Sequence, residues 1–482
     1  MAHNNFAQWL FDINQQRGSK HAVVDQDHAL TYQELATHSR IFAKHLTRSS
    51  ITSGQRVIIC MDDCVAWPVA FLGCILVGAN PVLTSPDLYI KSLEQIVSTC
   101  DAKAIVCDDI VPDLGITRIS RDDILAPGDE LTVPYQFHDD EPCLWLLTSG
   151  TSGDSKCIMH RHAAFQHLLN TVSDLAFDIR EDSRVFCTGK LSWAYGLNNS
   201  LTFPLGRGAT AYLRKGAPAP RRIYEICQQH HITHLLTVPT VLNSMIRYPG
   251  HLDDSVRIVT SSGEPLPDIV AKRFYETFQR QVYVNIGQSE AMQTYAAVNI
   301  DDYEFGSVGK PLPGIECELR DHRGHRVGQG RIGEMYVKTP CMALGYYKDW
   351  ESTRHTFQGA WIRTGDIMKQ LPSGGYRFIG RANDLIKIRG LWVSPMEVEN
   401  AIMHDPRVDD CAVIAKPNSA GLDEIHAYVV ASKEIPDLKT QVAEQLVSFK
   451  VPRHWHWVKD LPRTVTRKRR RAVLRGQNPV DQ

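Results

Sequence analysis

No uninterrupted apolar run in the sequence is long enough to span a bilayer, so no membrane-crossing helix is expected. The first residues, Met1-Ala2-His3-Asn4-Asn5, have neither a basic stretch nor an apolar core, and no secretory signal is expected there. An excess of one charge is also missing. The net charge is −1 over 482 residues, so nothing global points to nucleic acid or a membrane as partner. No Cys-x-x-Cys occurs. The 12 cysteines are scattered from Cys60 to Cys411, many inside apolar runs such as Ile58-Ile59-Cys60 and Val106-Cys107. That pattern argues against a disulfide framework and a zinc site, and fits reduced, buried thiols in a cytoplasmic protein. The 20 histidines are equally dispersed, and neither an internal repeat nor a low-complexity tract is visible.

With 43% apolar and 22% charged residues, the composition is that of a globular protein, and the length implies two or more domains. The first stretch that suggests chemistry is Leu147-Thr148-Ser149-Gly150-Thr151-Ser152-Gly153-Asp154-Ser155-Lys156. It follows Cys143-Leu144-Trp145-Leu146-Leu147, which reads as a buried strand. Ile158 to His162 comes after it, and Ala163 to Leu169 can begin a helix. Glycines let backbone approach an anion, N–H groups and hydroxyls donate, and the lysine adds charge. The competing reading is an ordinary polar turn between strand and helix. The common NTPase phosphate loop is excluded, because Ser155 and Cys157 flank Lys156 where Gly and Ser/Thr are required.

Strand and helix patterns alternate on both sides of this loop. Leu30 to Leu35 carries a capping box, with Thr31 three residues before Glu34. Arg56 to Met61 and Ala104 to Cys107 read as strands, and Val69 to Val77 as a helix ending at Gly78. Val256 to Thr260 runs into Ser261-Ser262-Gly263-Glu264, and Gln281 to Ile286 into Gly287-Gln288-Ser289-Glu290. Three strands ending in polar loops at one edge of an open α/β sheet would make a nucleotide site. From Gly306 to about Gly380 the texture is that of a small antiparallel or barrel-like β region. Arg381-Ala382-Asn383-Asp384 is a hinge candidate, and a compact α+β unit follows, with Ser394 and Pro395 opening a helix.

Taken in order, these motifs resemble the adenylate-forming superfamily of acyl- and aryl-CoA synthetases, peptide-synthetase adenylation domains and luciferases. Thr148 to Lys156 resembles its phosphate loop, and Ile286 to Glu290 its aromatic-Gly-x-Thr-Glu motif. Arg363-Thr364-Gly365-Asp366 resembles its Thr-Gly-Asp motif, and Gly380 to Gly390 its hinge motif. Pro462 to Lys468 resembles the motif with its catalytic lysine. Lys190-Leu191-Ser192-Trp193-Ala194-Tyr195-Gly196-Leu197 is similar to the aryl-pocket segment of benzoate-CoA ligases.

The resemblance implies an α/β protein. A large N-terminal domain, residues 1–382, would combine doubly wound sheets with the small β-barrel-like region, and a small mobile α+β domain, residues 383–482, would swing about Asn383. It also implies two steps. A carboxylate attacks the α-phosphate of ATP, giving an acyl-adenylate and pyrophosphate; the thiol of coenzyme A then displaces AMP. Thr148, Ser149, Gly150, Thr151, Ser152, Gly153 and Lys156 would hold pyrophosphate. Glu290 would ligate Mg²⁺ and Ser289 would bond the α-phosphate. Gly263, Glu264, Asn285, Ile286 and Gly287 would line the adenine. Asp366 would take the ribose diol, Arg381 ribose or phosphate, and Gly390 would let pantetheine pass. Lys468 would bridge carboxylate and α-phosphate.

Trp193, Ala194, Tyr195, Val238 and Pro239 would form the acyl pocket, whose aromatic walls suit a flat ring. Alternatives are the phosphopantetheine arm of a carrier protein as acceptor, or a medium-chain fatty acid as substrate. The arginines around Lys468, from Arg467 to Arg471, would meet CoA phosphates or an acidic carrier protein, or form a solvated basic face. Departures from the family pattern are Ser155, Cys157, Asn383, Arg467 and Gln293, the last standing where benzoate-CoA ligases tend to have His.

Overall fold

A computed structural model describes residues 5–87, 90–108, 111–149, 155–388, 390–463 and 469–476. Strands Gly345–Tyr346, Ser155–His160, Leu144–Ser149, Asn80–Thr84, Arg56–Cys60, Ala102–Cys107 and Thr117–Ser120 form a seven-stranded sheet in that order. A nine-stranded sheet has the order Lys310–Pro311, Thr294–Ala297, Val282–Gly287, Ile258–Ser261, His234–Thr237, Arg184–Cys187, Thr210–Tyr212, His21–Val24 and Ala29–Thr31. The centres of both are parallel; both edges of the nine-stranded sheet and one edge of the seven-stranded sheet are antiparallel, while Ala102–Cys107 and Thr117–Ser120 pair parallel at the other edge, the doubly wound pattern expected from strand–helix alternation.

Local chemistry accounts for the elements. The Thr31 hydroxyl accepts the Glu34 N–H at 3.2 Å while the Glu34 carboxylate accepts the Thr31 N–H at 2.8 Å, closing the capping box of the helix Tyr32–Arg48. The helix Ala66–Leu76 is apolar on every face, and every one of its side chains is buried. The region after Gly306 forms an open antiparallel sheet of Glu316–Arg320, Ile332–Lys338, Trp361–Gln370, Phe357–Gln358 and Tyr376–Arg381. Beyond it lie the hairpin Ile386–Ile388/Leu391–Val393, the helix Pro395–Met403, and a sheet of Val408–Pro417, Asp423–Ala431 and His454–Val458. Among the described residues no helix is long and apolar enough to cross a membrane.

The competing reading of the Ser/Thr/Gly loop, a turn between strand and helix, needs correction. The flanks of the loop are antiparallel partners, with Thr148 opposite Lys156, and the helix runs over His162–Leu168, within one residue of the expected start. Ser155–His160 is a returning strand paired on both sides, with Leu144–Ser149 and with Gly345–Tyr346. Gly150 to Gly153 lie outside the described residues.

Burial holds three imidazoles neutral. It pushes His160 down to about 4, His162 to about 3 and His234 to about 4. His162 Nδ1 accepts the Phe6 N–H at 3.0 Å, which requires the neutral ring. The unfolded chain takes up these protons near pH 6.5 and the folded chain only near pH 4 or below. Stability present above pH 6.5 is therefore lost as pH falls towards 4, by roughly 2 kcal/mol per ring between pH 7 and pH 5. Urea midpoints at those two pH values should differ accordingly, and equal midpoints would contradict this account.

Candidate functional site

The strand Ile258–Ser261 delivers Gly263 and Glu264 to one wall of a cavity of about 1110 Å³, and the strand Val282–Gly287 delivers Asn285, Ile286 and Gly287 to it. Gly263 has φ +83°, a conformation that favours glycine, and a Cβ there would stand 3.8 Å from Val238. Asn285 is buried. Its Oδ1 accepts the Thr294 hydroxyl at 3.1 Å, and its Nδ2 approaches the Ser261 carbonyl at 3.5 Å.

Asp366 and Arg381 face each other across the strands Trp361–Gln370 and Tyr376–Arg381 and line the same cavity. Asp366 is 1% exposed. Arg381 Nε lies 3.0 Å from its Oδ1, and the Tyr295 hydroxyl donates to Oδ2 at 3.3 Å. Arg381 Nη1 also donates to the Thr364 carbonyl at 2.9 Å. The Asp366 charge raises the Arg381 pKa above its usual value, with Glu290 adding to the effect. A carboxylate held this rigidly is suited to hydroxyl donors such as a diol.

The anion side is built differently. Lys156 Nζ sits 3.2 Å from Asp349, is hydrogen-bonded to the Ser352 hydroxyl, and lies 5.4 Å over the Tyr346 ring. The Tyr346 hydroxyl donates to Glu290 Oε1 at 2.6 Å. Burial, then the Glu290 charge, pushes the Tyr346 hydroxyl well up, so it remains a donor. Lys156 and Glu290 are thus bridged by one aromatic residue. Tyr346, Asp349 and Ser352 were not anticipated. The run Gly345-Tyr346-Tyr347-Lys348 carried no local signal for them beyond its composition. Ser289 and Glu290 open a short 3₁₀ turn, Ser289–Ala291, directly after Gly287 and Gln288.

Of the residues expected at the acyl pocket, Tyr195 is bonded to Thr237 beside Val238, and Val238 is the neighbour that a Cβ on Gly263 would meet. Trp193 precedes the short helix Ala194–Leu197, and the Tyr195 hydroxyl donates to the Thr237 carbonyl at 2.8 Å. Val238 and Pro239 follow directly, with Pro239 first in the helix Pro239–Arg247. A Cβ on Gly196 would fall 1.9 Å from the Lys190 carbonyl oxygen, so only glycine allows the chain to fold back here.

Thr148 lies opposite Lys156, and Ser149 ends the strand opposite Ser155. Thr151, Ser152 and Lys468 lie outside the described residues. The neighbours of Lys468 are defined: Arg463 and Arg469 form an antiparallel bridge, and the Arg470 N–H donates to the Pro462 carbonyl at 2.7 Å. Arg469 and Arg471, two of the flanking arginines, are paired with acids of the protein, as is Arg475 beyond them. Arg469 pairs with Glu399 at 3.1 Å and Asp410 at 2.6 Å, Arg471 with Glu399 at 2.7 Å, and Arg475 with Asp384 at 2.9 Å. Burial alone would lower the Arg469 pKa, but Asp410 and Glu399 raise it strongly. Asn383 and Gly390 are exposed, and Gly390 has φ +86°.

A family model described as "AMP-binding enzyme" matches residues 10–347, and one described as "AMP-binding enzyme C-terminal domain" matches residues 397–468. A benzoate-CoA ligase of Thauera aromatica is 31% identical, over 95% of this chain and 93% of its own. A 4-hydroxybenzoate-CoA/benzoate-CoA ligase of Rhodopseudomonas palustris is 29% identical, over 96% and 92%. A solved benzoate CoA ligase from Burkholderia xenovorans LB400 superposes with TM-score 0.90 at 32% identity, covering 98% of this chain and 99% of that one. An anthranilate CoA ligase in complex with anthranoyl-AMP gives TM-score 0.92 at 27% identity, covering 99% and 97%.

Glu399 is 4% exposed and serves two arginines as well as the Val413 N–H, at 2.9 Å. Glu399→Ala would leave both cations poorly matched in a confined space. It should destabilise the C-terminal unit by about 3 kcal/mol, read from a denaturant titration. A change below about 0.5 kcal/mol, as at ordinary surface positions, would show that Asp384 and Asp410 suffice.

Proposed function

Because the chain belongs to the AMP-binding enzyme family, we propose that it activates a benzoate-type carboxylic acid with ATP and passes the acyl group to coenzyme A. The observation that carries this reading is the joining of one cavity, holding Gly263, Asn285, Asp366 and Arg381, to the Lys156–Tyr346–Glu290 relay. The first group is suited to a nucleoside and the second to its phosphates.

The first step brings a carboxylate up to a phosphate, so repulsion between like charges is the barrier to overcome. Lys156, with Thr148, Ser149, Gly150, Thr151, Ser152 and Gly153, receives the departing pyrophosphate, and Ser289 donates to the α-phosphate. Glu290 fits Mg²⁺: it is a hard oxygen donor, fixed by a phenol at Oε1, at a place where phosphates supply further oxygens. When bound, the ion offsets phosphate charge. Asp366 accepts the ribose hydroxyls, with Arg381 alongside. Lys468 donates between the attacking carboxylate and the α-phosphate. Trp193, Ala194, Tyr195, Val238 and Pro239 enclose the ring, and Trp193 shortens the pocket against a fatty chain.

The division of the chain at 382/383 belongs to the same proposal. Arg381 is tied back to Asp366 and Thr364, whereas Asp384 is tied forward to Arg471 at 3.6 Å and Arg475 at 2.9 Å. Only Ala382 and Asn383 lie between these anchors, which supports a pivot at Asn383. Rotation there would withdraw Lys468 after the first step and bring Gly390 to the pantetheine arm. Coenzyme A is favoured over a carrier protein, since Arg469 and Arg471 are committed to internal acids rather than to docking.

Pyrophosphate exchange tests the first step without any thiol. Benzoate-type acids should support it, and added CoA should divert the adenylate to thioester. Lys468→Ala should lose exchange by at least about a hundredfold while still binding ATP. An aromatic panel with no activity, beside active medium-chain fatty acids, would overturn the aryl assignment. Tyr346→Phe removes the donor from Glu290, and hydrogen bonds to charged groups contribute about 1.5–3 kcal/mol. The Mg²⁺ concentration for half-maximal exchange should rise about tenfold, with the KM for the acid little changed. An unaltered Mg²⁺ requirement would remove Tyr346 from the metal's surroundings.

A further inference from the structure

We propose that the acyl pocket is built for a benzoate bearing a ring hydroxyl, read by the paired amides of Asn199 and Gln293. The inference rests on the reading of Trp193 to Tyr195 as the wall of the aryl pocket. Gln293 Nε2 donates to Asn199 Oδ1 at 3.1 Å. Gln293 is 4% exposed and Asn199 is fully buried. The other ends of the two amides, Gln293 Oε1 and Asn199 Nδ2, have no hydrogen-bond partner among the described residues. Exchanging O and N in both amides leaves the same inventory, one acceptor and one donor. Leaving both buried and unmatched is costly, so the arrangement calls for a group that matches both.

The place of the pair fits a ring substituent. Asn199 lies on the helical run that continues from Ala194–Leu197, where the adjacent Asn198 Nδ2 donates to the Ala194 carbonyl at 3.0 Å and the Met292 carbonyl at 3.2 Å. Gln293 stands three residues after Glu290, and its carbonyl accepts the Gln288 N–H at 2.8 Å. The amides therefore join the aryl segment to the turn that carries Glu290. Asn199 stands close enough to the Tyr195 hydroxyl and the Cys187 thiol to lower slightly both pKa values, which burial raises, but its Nδ2 makes no hydrogen bond of normal geometry. Trp193, Ala194 and Tyr195 keep part of their surface open, whereas everything from Gly196 to Gly206 is buried. The amides therefore lie directly behind the half-buried segment read as the wall of the aryl pocket.

A phenolic hydroxyl satisfies both amide ends at once, donating to the carbonyl oxygen and accepting from the NH₂ group. An aromatic amine donates well but accepts poorly, so it answers one end. An unsubstituted ring answers neither. The expected order of preference is hydroxybenzoate, then aminobenzoate, then benzoate.

The test is the ratio of kcat/KM values in pyrophosphate exchange for benzoate, the three monohydroxybenzoates and the three aminobenzoates. At least one hydroxybenzoate should exceed benzoate about tenfold or more, because a site built to bond a hydroxyl rejects the analogue lacking it. In Gln293→Met, and in the double variant with Asn199→Leu, that ratio should fall to within about threefold of unity. A ratio taken within one variant does not depend on how much of it is folded. Benzoate equal to or better than every hydroxybenzoate overturns the inference from the native enzyme alone. A ratio unchanged in the double variant also overturns it, since amides bridged by water would behave in this way. Exchange with none of these acids would instead bring down the aryl-ligase reading beneath it.

Discussion

A carboxylate with 1% of its surface exposed must be answered by charge and donors from the protein, and the Asp366 carboxylate is answered by Arg381 and Tyr295. Much else depends on that pairing. Because the two residues are register partners on neighbouring strands, the ion pair fixes the edge of the cavity. Arg381 is also the last residue of its strand. The far side repeats the logic. Glu399, equally confined, gathers Arg469 and Arg471, and through Arg471 the acid Asp384. Two acids thus anchor the chain on either side of Ala382 and Asn383.

The anion side follows from the same physics in a looser form. Lys156 is paired with Asp349 and Ser352 before any phosphate arrives. It therefore comes to a polyanion from a neighbouring carboxylate rather than from bulk water. A single, one-third-exposed carboxylate is a weak competitor for a chain of phosphates, so the lysine is held in place at small cost to binding. The Tyr346 ring beneath it and the Tyr346 hydroxyl on Glu290 keep cation and acid in one frame.

Much of the fold was legible because it depends on local rules. The capping box at Thr31, the apolar helix before Gly78, the Ser394-Pro395 helix start and the polar loops after Ser261 and Gly287 all formed where periodicity and turn chemistry placed them. The cavity residues followed from those loops. Pairing across distance was not legible. The return of Ser155–His160 as a strand depends on partners in Leu144–Ser149 and Gly345–Tyr346, nearly two hundred residues away in the second case. Tyr346 was missed for that reason. The role of the basic run near the C-terminus stayed open in the sequence because the acids that pair with Arg469 and Arg471, namely Asp384, Glu399 and Asp410, lie far upstream. Lys468 and Gly150 to Gly153 lie outside the described residues, so their roles still rest on motif and neighbours.

The absence of side chains at two glycines brings the phosphate and aryl regions together. A Cβ on Gly287 would stand 1.7 Å from the Gln293 carbonyl oxygen, and one on Gly196 would be 1.9 Å from that of Lys190. The turn from Gly287 to Gln293 therefore closes on itself, and Glu290 and Gln293 leave it in different directions. One faces the Tyr346 hydroxyl and the other faces Asn199. A residue suited to the metal and a residue suited to reading the ring share one tight loop, and neither can shift without straining the other. Substrate choice and phosphate chemistry are mechanically joined at that point. Swapping the side chain at position 293 should be tolerated better than any change to the backbone that holds it.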